Sequence, residues 1–140
     1  MMACEITRPS SRRVLISHGE PSVEGDWVRG ITGYFEPRHV GVCRAYTGRE
    51  AIGFVEEGGI DAAILSTDLP RMDGLSVLRI IRSIDNAIPC VVVTADASKR
   101  ILQRALELQA YTVLTKPVDL AALRRVMVGL FRKRLRWELD

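Results

Sequence analysis

The sequence lacks a long hydrophobic run. No stretch of its 140 residues reaches the ~18 uncharged apolar residues that a membrane-spanning helix needs. Residues 1–11 contain no apolar run of the kind that a secretory signal requires. We therefore expect the chain to act in the cytoplasm, not in a membrane.

Cysteine and histidine are also scarce. Cys4, Cys43 and Cys90 are few, odd in number and widely spaced, which argues against a disulfide scaffold and favours a reducing compartment. The only histidines are His18 and His39, and they have no companions at the spacing of metal ligands. The sequence therefore predicts no cofactor and no dedicated metal centre.

What is present is typical of one globular domain, with 47% hydrophobic and 26% charged residues. The net charge of +3 is mild, but the cations cluster after Asp119. The basic residues of this last segment are Arg124, Arg125, Arg132, Lys133, Arg134 and Arg136. Such a cluster suits an acidic partner, a membrane surface or nucleic acid, and it also suits a solvated helix end. Because only Phe131 and Trp137 interleave the cations, we regard nucleic acid as the weakest of these partners.

Short apolar runs alternate with longer helical patterns. The runs that predict buried strands are 14–16, 62–65, 88–93 and 111–114, and the more mixed segment 40–46 predicts an edge strand. The helical patterns are 22–35, 74–85, 97–109 and a last helix from Asp119 to Trp137. We expect Trp27 and Ile31 to anchor the first helix, which contains three glycines.

Alternation of this kind predicts an α/β fold built from right-handed βαβ units. The expected architecture is flavodoxin-like and doubly wound, with a five-stranded parallel sheet of order 2-1-3-4-5 and helices on both faces. We divide the chain into a flexible segment 1–11, a domain 12–131, and a basic extension of the last helix over 132–140.

Four sequence motifs fall at the expected ends of strands. They are RVLISHGEP at 13–21, DAAILSTDLPRMDG at 61–74, IPCVVVTA at 88–95 and YTVLTKP at 111–117. In this order and at this spacing they resemble the motifs of response-regulator receiver domains, the signalling modules of two-component phosphorelay pathways. The resemblance spans residues 12–131 and implies the same fold.

The resemblance also implies which residues carry phosphate chemistry. In the family, an aspartate eight residues before the loop glycine accepts a phosphoryl group from a histidine kinase, and here that residue is Ser66, before Gly74. The acidic pair that the family places after its first strand is replaced by His18 and Gly19. The family positions that are retained are Thr94, Lys116 and Pro117, the last with a cis bond implied before it.

These replacements predict a degenerate receiver. A serine hydroxyl is no nucleophile without an adjacent base, and neither His18 nor Gly19 offers the hard anionic oxygen that Mg²⁺ requires. We expect a pseudo-receiver that is not an enzyme and that acts by binding a histidine kinase, another signalling protein or itself. The alternatives are a conventional receiver that accepts phosphate on Asp68, with Asp68 or Glu20 as a weak metal ligand, and a nucleic-acid-associated module that uses the last helix.

Lys116 should bring an ammonium into a cleft that has lost its usual carboxylates. Three outcomes remain open: Asp68 folds back onto it, the ammonium reaches water, or an anion binds to Lys116, Thr94 and Ser66. We also expect a homodimer through the last two helices and strand five, because Leu135 and Trp137 would be exposed on a long last helix.

Overall fold

The computed structural model describes residues 12–19 and 25–139, and strands alternate with helices along the chain. The elements are β1 Arg12–Ser17, α1 Trp27–Phe35, β2 Val40–Ala45, α2 Gly48–Glu57, β3 Ala62–Ser66, α3 Gly74–Ile84, β4 Cys90–Thr94, α4 Lys99–Glu107, β5 Thr112–Thr115 and α5 Leu120–Leu130. A 3-10 turn, Glu36–Arg38, follows α1, and a π-helical turn, Phe131–Leu135, follows α5.

The five strands form one parallel sheet in the order β2-β1-β3-β4-β5, which confirms the expected flavodoxin-like topology. The central strand β3 is buried along its whole length, as its unbroken apolar run predicts. β2 lies at an edge, also as expected. The Lys116–Pro117 bond is cis, in agreement with the family resemblance.

Two apolar layers cover the sheet. Residues of α1 and α5 pack with Val14, Ile16 and Ile64 on one face. Residues of α2, α3 and α4 pack with Leu15 and Leu65 on the other. Within residues 12–19 and 25–139, none of the helices is both long enough and apolar enough to cross a membrane.

The first helix is shorter than the sequence pattern predicts. Trp27 and Ile31 are 4% and 0% exposed and anchor α1 to the core, as expected. The helix nevertheless begins at Trp27, because Gly25 has a left-handed φ of 82° that a helix does not accommodate. Residues 22–24, where the predicted helix began, lie outside the described residues.

The start of α3 is fixed by a cap and by very close packing. Asp73 caps the helix, since its Oδ1 accepts the N–H groups of Leu75 and Ser76 at 2.8 and 3.0 Å. Gly74 follows, and a Cβ at this position would lie 2.2 Å from the carbonyl oxygen of Ser66. Only glycine therefore allows α3 to begin against the end of β3.

The prediction that the last helix continues to Trp137 is wrong. The helical turn ends at Leu135, and Arg136 reverses the chain with a left-handed φ of 53°. The N–H of Trp137 then bonds to the carbonyl of Phe131 at 3.0 Å. Leu139 is 5% exposed and completes the core on the side of α1 and α5. A straight helix would have left these apolar side chains in water, so the reversal is favoured by burial.

Candidate functional site

Polar side chains meet where β3, β4 and β5 end. Ser66 is the last residue of β3, Thr94 is the last of β4, and Lys116 directly follows β5. Ser66 and Thr94 are completely buried. Because the strands are parallel, their carboxyl ends share one edge of the sheet, which is where such folds hold their ligands. The structure therefore brings together the three residues that the sequence singled out as an anion site.

Lys116 is held by two acceptors inside this group. Its Nζ donates to Ser66 Oγ at 2.8 Å and to Asp68 Oδ2 at 2.7 Å. The Lys116 side chain is 8% exposed, whereas that of Asp68 is 37% exposed. Of the three outcomes open from the sequence, the structure shows the first, with Asp68 folded back onto the ammonium. The ion pair neutralises a charge that would be costly to leave alone at this depth.

Ser66 has the environment of a structural hydroxyl. Its Oγ accepts the Lys116 ammonium and also the N–H of Asp68 at 3.1 Å. An ammonium that donates to a carboxylate carries its proton and cannot serve as a general base. These contacts orient the serine oxygen as an acceptor and give no means of activating it as a nucleophile.

Thr94 connects the loop after β4 to the same network. The hydroxyl of Thr67 donates to Thr94 Oγ1 at 2.9 Å. Thr94 Oγ1 also accepts the N–H of Asp96 at 3.0 Å and contacts the carbonyl of Asp96 at 3.1 Å. The loops after β3, β4 and β5 are thus joined through side chains, with Thr67 and Asp68 of the first loop reaching the other two. An anion at Lys116, Thr94 and Ser66 would have to displace these contacts, and binding there stays a prediction.

The two positions where the resemblance places acidic residues carry a packed imidazole and a glycine. His18 is 3% exposed, and its Nδ1 lies 3.0 Å from the carbonyl oxygen of Gly19. Its ring meets that of Tyr46 edge-on, with ring centroids 4.8 Å apart. Tyr46 was not anticipated from the sequence, since it only follows β2 and gives no periodic signal. Together with Arg29 and Arg44, these rings line a small pocket of about 120 Å³.

The residues at this edge do not fit the Mg²⁺ that the family resemblance implies. Mg²⁺ needs carboxylate oxygens, yet His18 and Gly19 supply none, and Asp68 is engaged by Lys116. In the described part of the chain, no group of three or more His, Cys, Asp or Glu side chains could hold a metal ion. Glu20, the other weak candidate, lies outside the described residues.

A cleft of about 510 Å³ opens beside the network, between the loops after β3 and β4 and helix α4. Asp68, Asp73 and Asp96 line it together with Arg100 and Arg104. The two arginines were missed in the sequence, although their spacing of four on a helix places them on one face. Ser66 and Lys116 are not among the residues that line this cleft. Its walls are mainly loop and helix side chains of mixed charge.

The cysteines differ from one another. Cys90, the first residue of β4, is a buried free thiol. Burial raises its pKa to about 11, an effect that the nearby Arg82 guanidinium partly offsets. Such a thiol is inert at neutral pH. Cys43 on β2 is disulfide-bonded, which the sparse cysteine pattern did not predict.

Comparison with known proteins identifies the class of the fold and then the family. The strand order of the sheet is that of a flavodoxin-like α/β fold. A family model described as the response regulator receiver domain matches residues 24–127. The chain belongs to this family.

Two individual relatives support the family assignment. The chain is 33% identical over 129 residues to the transcriptional regulatory protein PrrA of Mycobacterium tuberculosis, covering 91% of this chain and 53% of PrrA. It is 33% identical over 92 residues to the sensor histidine kinase RcsC of Salmonella typhi, covering 66% of this chain and 10% of RcsC. This chain thus spans about half the length of PrrA.

Among solved structures, the CheY-like receiver domain protein of Methanospirillum hungatei superimposes with a TM-score of 0.80. The match covers 91% of this chain and 98% of that protein, at 20% identity. At this identity the similarity bears on the fold alone.

Proposed function

We propose that this receiver domain does not accept phosphate and that it acts in a two-component pathway through contact with other proteins. The observation that carries the proposal is the bonding of Lys116 to both Ser66 and Asp68. The ammonium that would receive phosphoryl oxygens in an active receiver is already neutralised from within the chain. The module therefore holds a single standing conformation and is not an enzyme.

The buried serine supports the same conclusion. Ser66 is 0% exposed, and its oxygen accepts hydrogen bonds from an ammonium and from a backbone N–H. A phosphoryl donor would have to reach a buried hydroxyl whose oxygen already accepts from these two donors, and a serine hydroxyl is a nucleophile only beside a base. The absence of a fitting Mg²⁺ site among the described residues points the same way, since phosphoryl transfer relies on metal to neutralise developing charge.

The partner that we propose is a histidine kinase or another protein of the same pathway, in the cytoplasm. Similarity to a segment of the sensor histidine kinase RcsC supports this, because receiver-like segments occur within such kinases. A module without its own chemistry must exert any effect through binding. Its partner then reads a fixed surface, not one switched by phosphate.

The proposal is tested by incubation with Mg²⁺ and a small phosphodonor, followed by intact-mass measurement. We expect no gain of a phosphoryl group, while an ordinary receiver treated in parallel gains one. The matched variant is Asp68→Asn, which removes the exposed carboxylate of the network. A stoichiometric mass gain in the parent chain would overturn the proposal, whether or not Asp68→Asn abolished it.

A second candidate function is phosphate acceptance by Asp68. The observation in its favour is that this carboxylate is 37% exposed, lines the cleft and lies 2.7 Å from the Lys116 ammonium. Against it, Asp68 lies two residues beyond the end of β3, on a loop. A mass gain that is lost in Asp68→Asn would establish this function in place of the first.

Homodimerisation through α4, α5 and β5 stays a prediction, but the exposed apolar residues that would form the interface are not those expected from the sequence. Trp137 and Leu135 pack against the core, so they no longer support it. Leu102 and Leu106 on α4 are 43% and 75% exposed and remain candidates. In sedimentation, Leu106→Glu should dissociate such a dimer, whereas Ile84→Glu on α3 should not. An identical monomer in all three proteins would remove the dimer.

A further inference from the structure

The end of the molecule opposite the Ser66 network carries a set of cations, which we call the basic end and define as the half-buried Arg12 and the exposed Lys133, Arg134 and Arg136. Arg12 is the first residue of β1, and α5 runs back toward the amino ends of the strands. The Arg12 guanidinium lies 4.7 Å from the centre of the Trp137 ring. The basic end therefore lies at the amino edge of the sheet.

Three cations of the basic end have no ion-pair partner among the residues that the structure describes. Arg132 pairs with Glu138 at 2.8 Å. By contrast, Lys133, Arg134 and Arg136 are exposed and form no ion pair with any described residue. The dipole of one short helix offsets only about half an elementary charge at its carboxyl end. Solvated cations in excess of that are available to an outside anion.

The backbone that carries the basic end packs against the core, which lowers the entropic cost of binding. Phe131 is fully buried, and its carbonyl caps the reversed chain through the N–H of Trp137. Leu139 fixes the segment beyond. The rings of Phe35 and Phe131 pack 6.0 Å apart, which joins this turn to the end of α1. The cations thus project from a packed support and not from a loose tail.

Two aromatic rings near the basic end distinguish the possible partners. Trp137 is covered by Arg12, and Tyr34 by both Arg38 at 3.9 Å and Arg124 at 5.0 Å. Rings covered in this way are not open to stack nucleic-acid bases, which single-strand binding uses. A guanidinium stacked on a ring keeps N–H groups in its own plane, where they can bind a carboxylate in bidentate fashion. The arrangement favours carboxylates over bases.

We propose that the basic end docks an acidic segment, rich in Asp and Glu, of a partner protein. The surface goes beyond the proposed function, since it lies away from the phosphate site, and it rests on that function only in assuming that the module works by contact. If acidic peptides fail to bind, the phosphodonor result is unaffected. If the chain accepts phosphate after all, binding at the basic end is still measured independently.

The test is fluorescence anisotropy with a short, labelled Glu- and Asp-rich peptide at about 0.15 M salt, where charges are screened beyond ~8 Å. The variant is Lys133→Glu with Arg134→Glu. The control is Arg49→Glu with Arg79→Glu, which changes two exposed arginines on α2 and α3 and alters the net charge equally. We expect about a tenfold or greater loss of affinity in the first pair and less than about threefold in the control.

A neutral pair, Lys133→Gln with Arg134→Gln, repeats the measurement should the charge-reversed protein fold poorly, and it should lose affinity in the same direction. Equal losses in the variant and control pairs would overturn the proposal, since binding would then follow net charge alone. So would a parent chain that does not bind the peptide saturably. Tighter binding to single-stranded DNA, duplex DNA or anionic vesicles than to the peptide would assign the surface to another class of partner and likewise refute it.

Discussion

The carboxyl and amino edges of the sheet differ in whether their charged side chains are paired within the chain. At the carboxyl edge, Lys116 is nearly buried and is neutralised by Asp68, with Ser66 as a further acceptor. At the amino edge, Lys133 and Arg134 are exposed and lack ion pairs with any described residue. One edge satisfies its polar groups internally, and the other leaves them for solvent or a partner. Both proposals rest on this difference: the carboxyl edge is proposed to be structural in this chain, and the amino edge is proposed to bind a partner.

The carboxyl edge should be the less tolerant of added volume. In Gly74→Ala, the new methyl group would meet the Ser66 carbonyl at 2.2 Å, and backbone cannot yield as a side chain does. We expect a loss of about 3 kcal/mol in the free energy of unfolding, measured by denaturant titration. The control is Gly33→Ala in α1, where a Cβ meets nothing within 4 Å and should stabilise the helix by up to about 1 kcal/mol. Equal effects would show that the tight contact is unimportant.

The basic end should depend on apolar burial beneath its charges. Leu139→Ala removes a side chain that is 5% exposed and should cost about 2 kcal/mol of stability. Leu106→Ala removes one that is 75% exposed and should change stability by less than about 0.5 kcal/mol. Thermal unfolding of both proteins measures the difference. A silent Leu139→Ala would mean that the chain reversal at Arg136 contributes nothing to the fold.

Removing one partner of the Lys116–Asp68 ion pair should lower the free energy of unfolding, because the other partner then loses its counter-charge. Asp68→Asn leaves the Lys116 ammonium with weaker acceptors and should cost about 1–2 kcal/mol, whereas Lys116→Met with Asp68→Asn should cost less than the two single changes summed. A double-mutant cycle by denaturant titration gives the coupling. Additive effects would contradict an energetic link between the two residues.

A second change at Asp68 tests whether an anion can bind at Lys116. Sulfate should stabilise Asp68→Ala more than the parent chain, since removing the carboxylate exposes the ammonium to an outside anion. Thermal shifts across a sulfate titration, with chloride at equal ionic strength as the control, measure this. Equal responses in both proteins would show that no anion replaces Asp68.

At neutral pH the smallest effect is that of Cys90, because it appears only in alkaline solution. Its folded-state pKa of about 11 lies above the ordinary value of 9.0, so the unfolded chain releases this proton first as pH rises. Stability should be unaffected below pH 9 and should fall between pH 9 and 11, by at most about 1.4 kcal/mol per unit. Cys90→Ala should lack this component when the pH dependence of unfolding is compared with that of the parent. Identical slopes would place the thiol in a more polar setting.

Strand order and the grouping of Ser66, Thr94 and Lys116 were predictable from the sequence. Each follows from local patterns, because buried parallel strands have unbroken apolar runs and their ends meet at one edge. The family resemblance added the cis bond at Pro117. The match to the family over 24–127 supports these inferences jointly.

Features that depend on contacts between distant residues were not predictable. The bond between Lys116 and Asp68 was one of three open outcomes, since the choice depends on where a loop folds. The reversal at Arg136 requires a left-handed φ that sequence does not favour at arginine, and it is stabilised by the burial of Leu139. The contact of His18 with Tyr46 joins the ends of two neighbouring strands and leaves no periodic trace.

Because Gly74 has no side chain, the backbone at the beginning of α3 packs directly against the backbone at the end of β3. No side chain lies between the two backbones at Gly74. We therefore expect a rotation or shift of α3 to displace Ser66. Ser66 in turn contacts Lys116, on the far side of β4. We therefore expect a movement of α3 to reach the loop after β5 through the bond between Ser66 and Lys116.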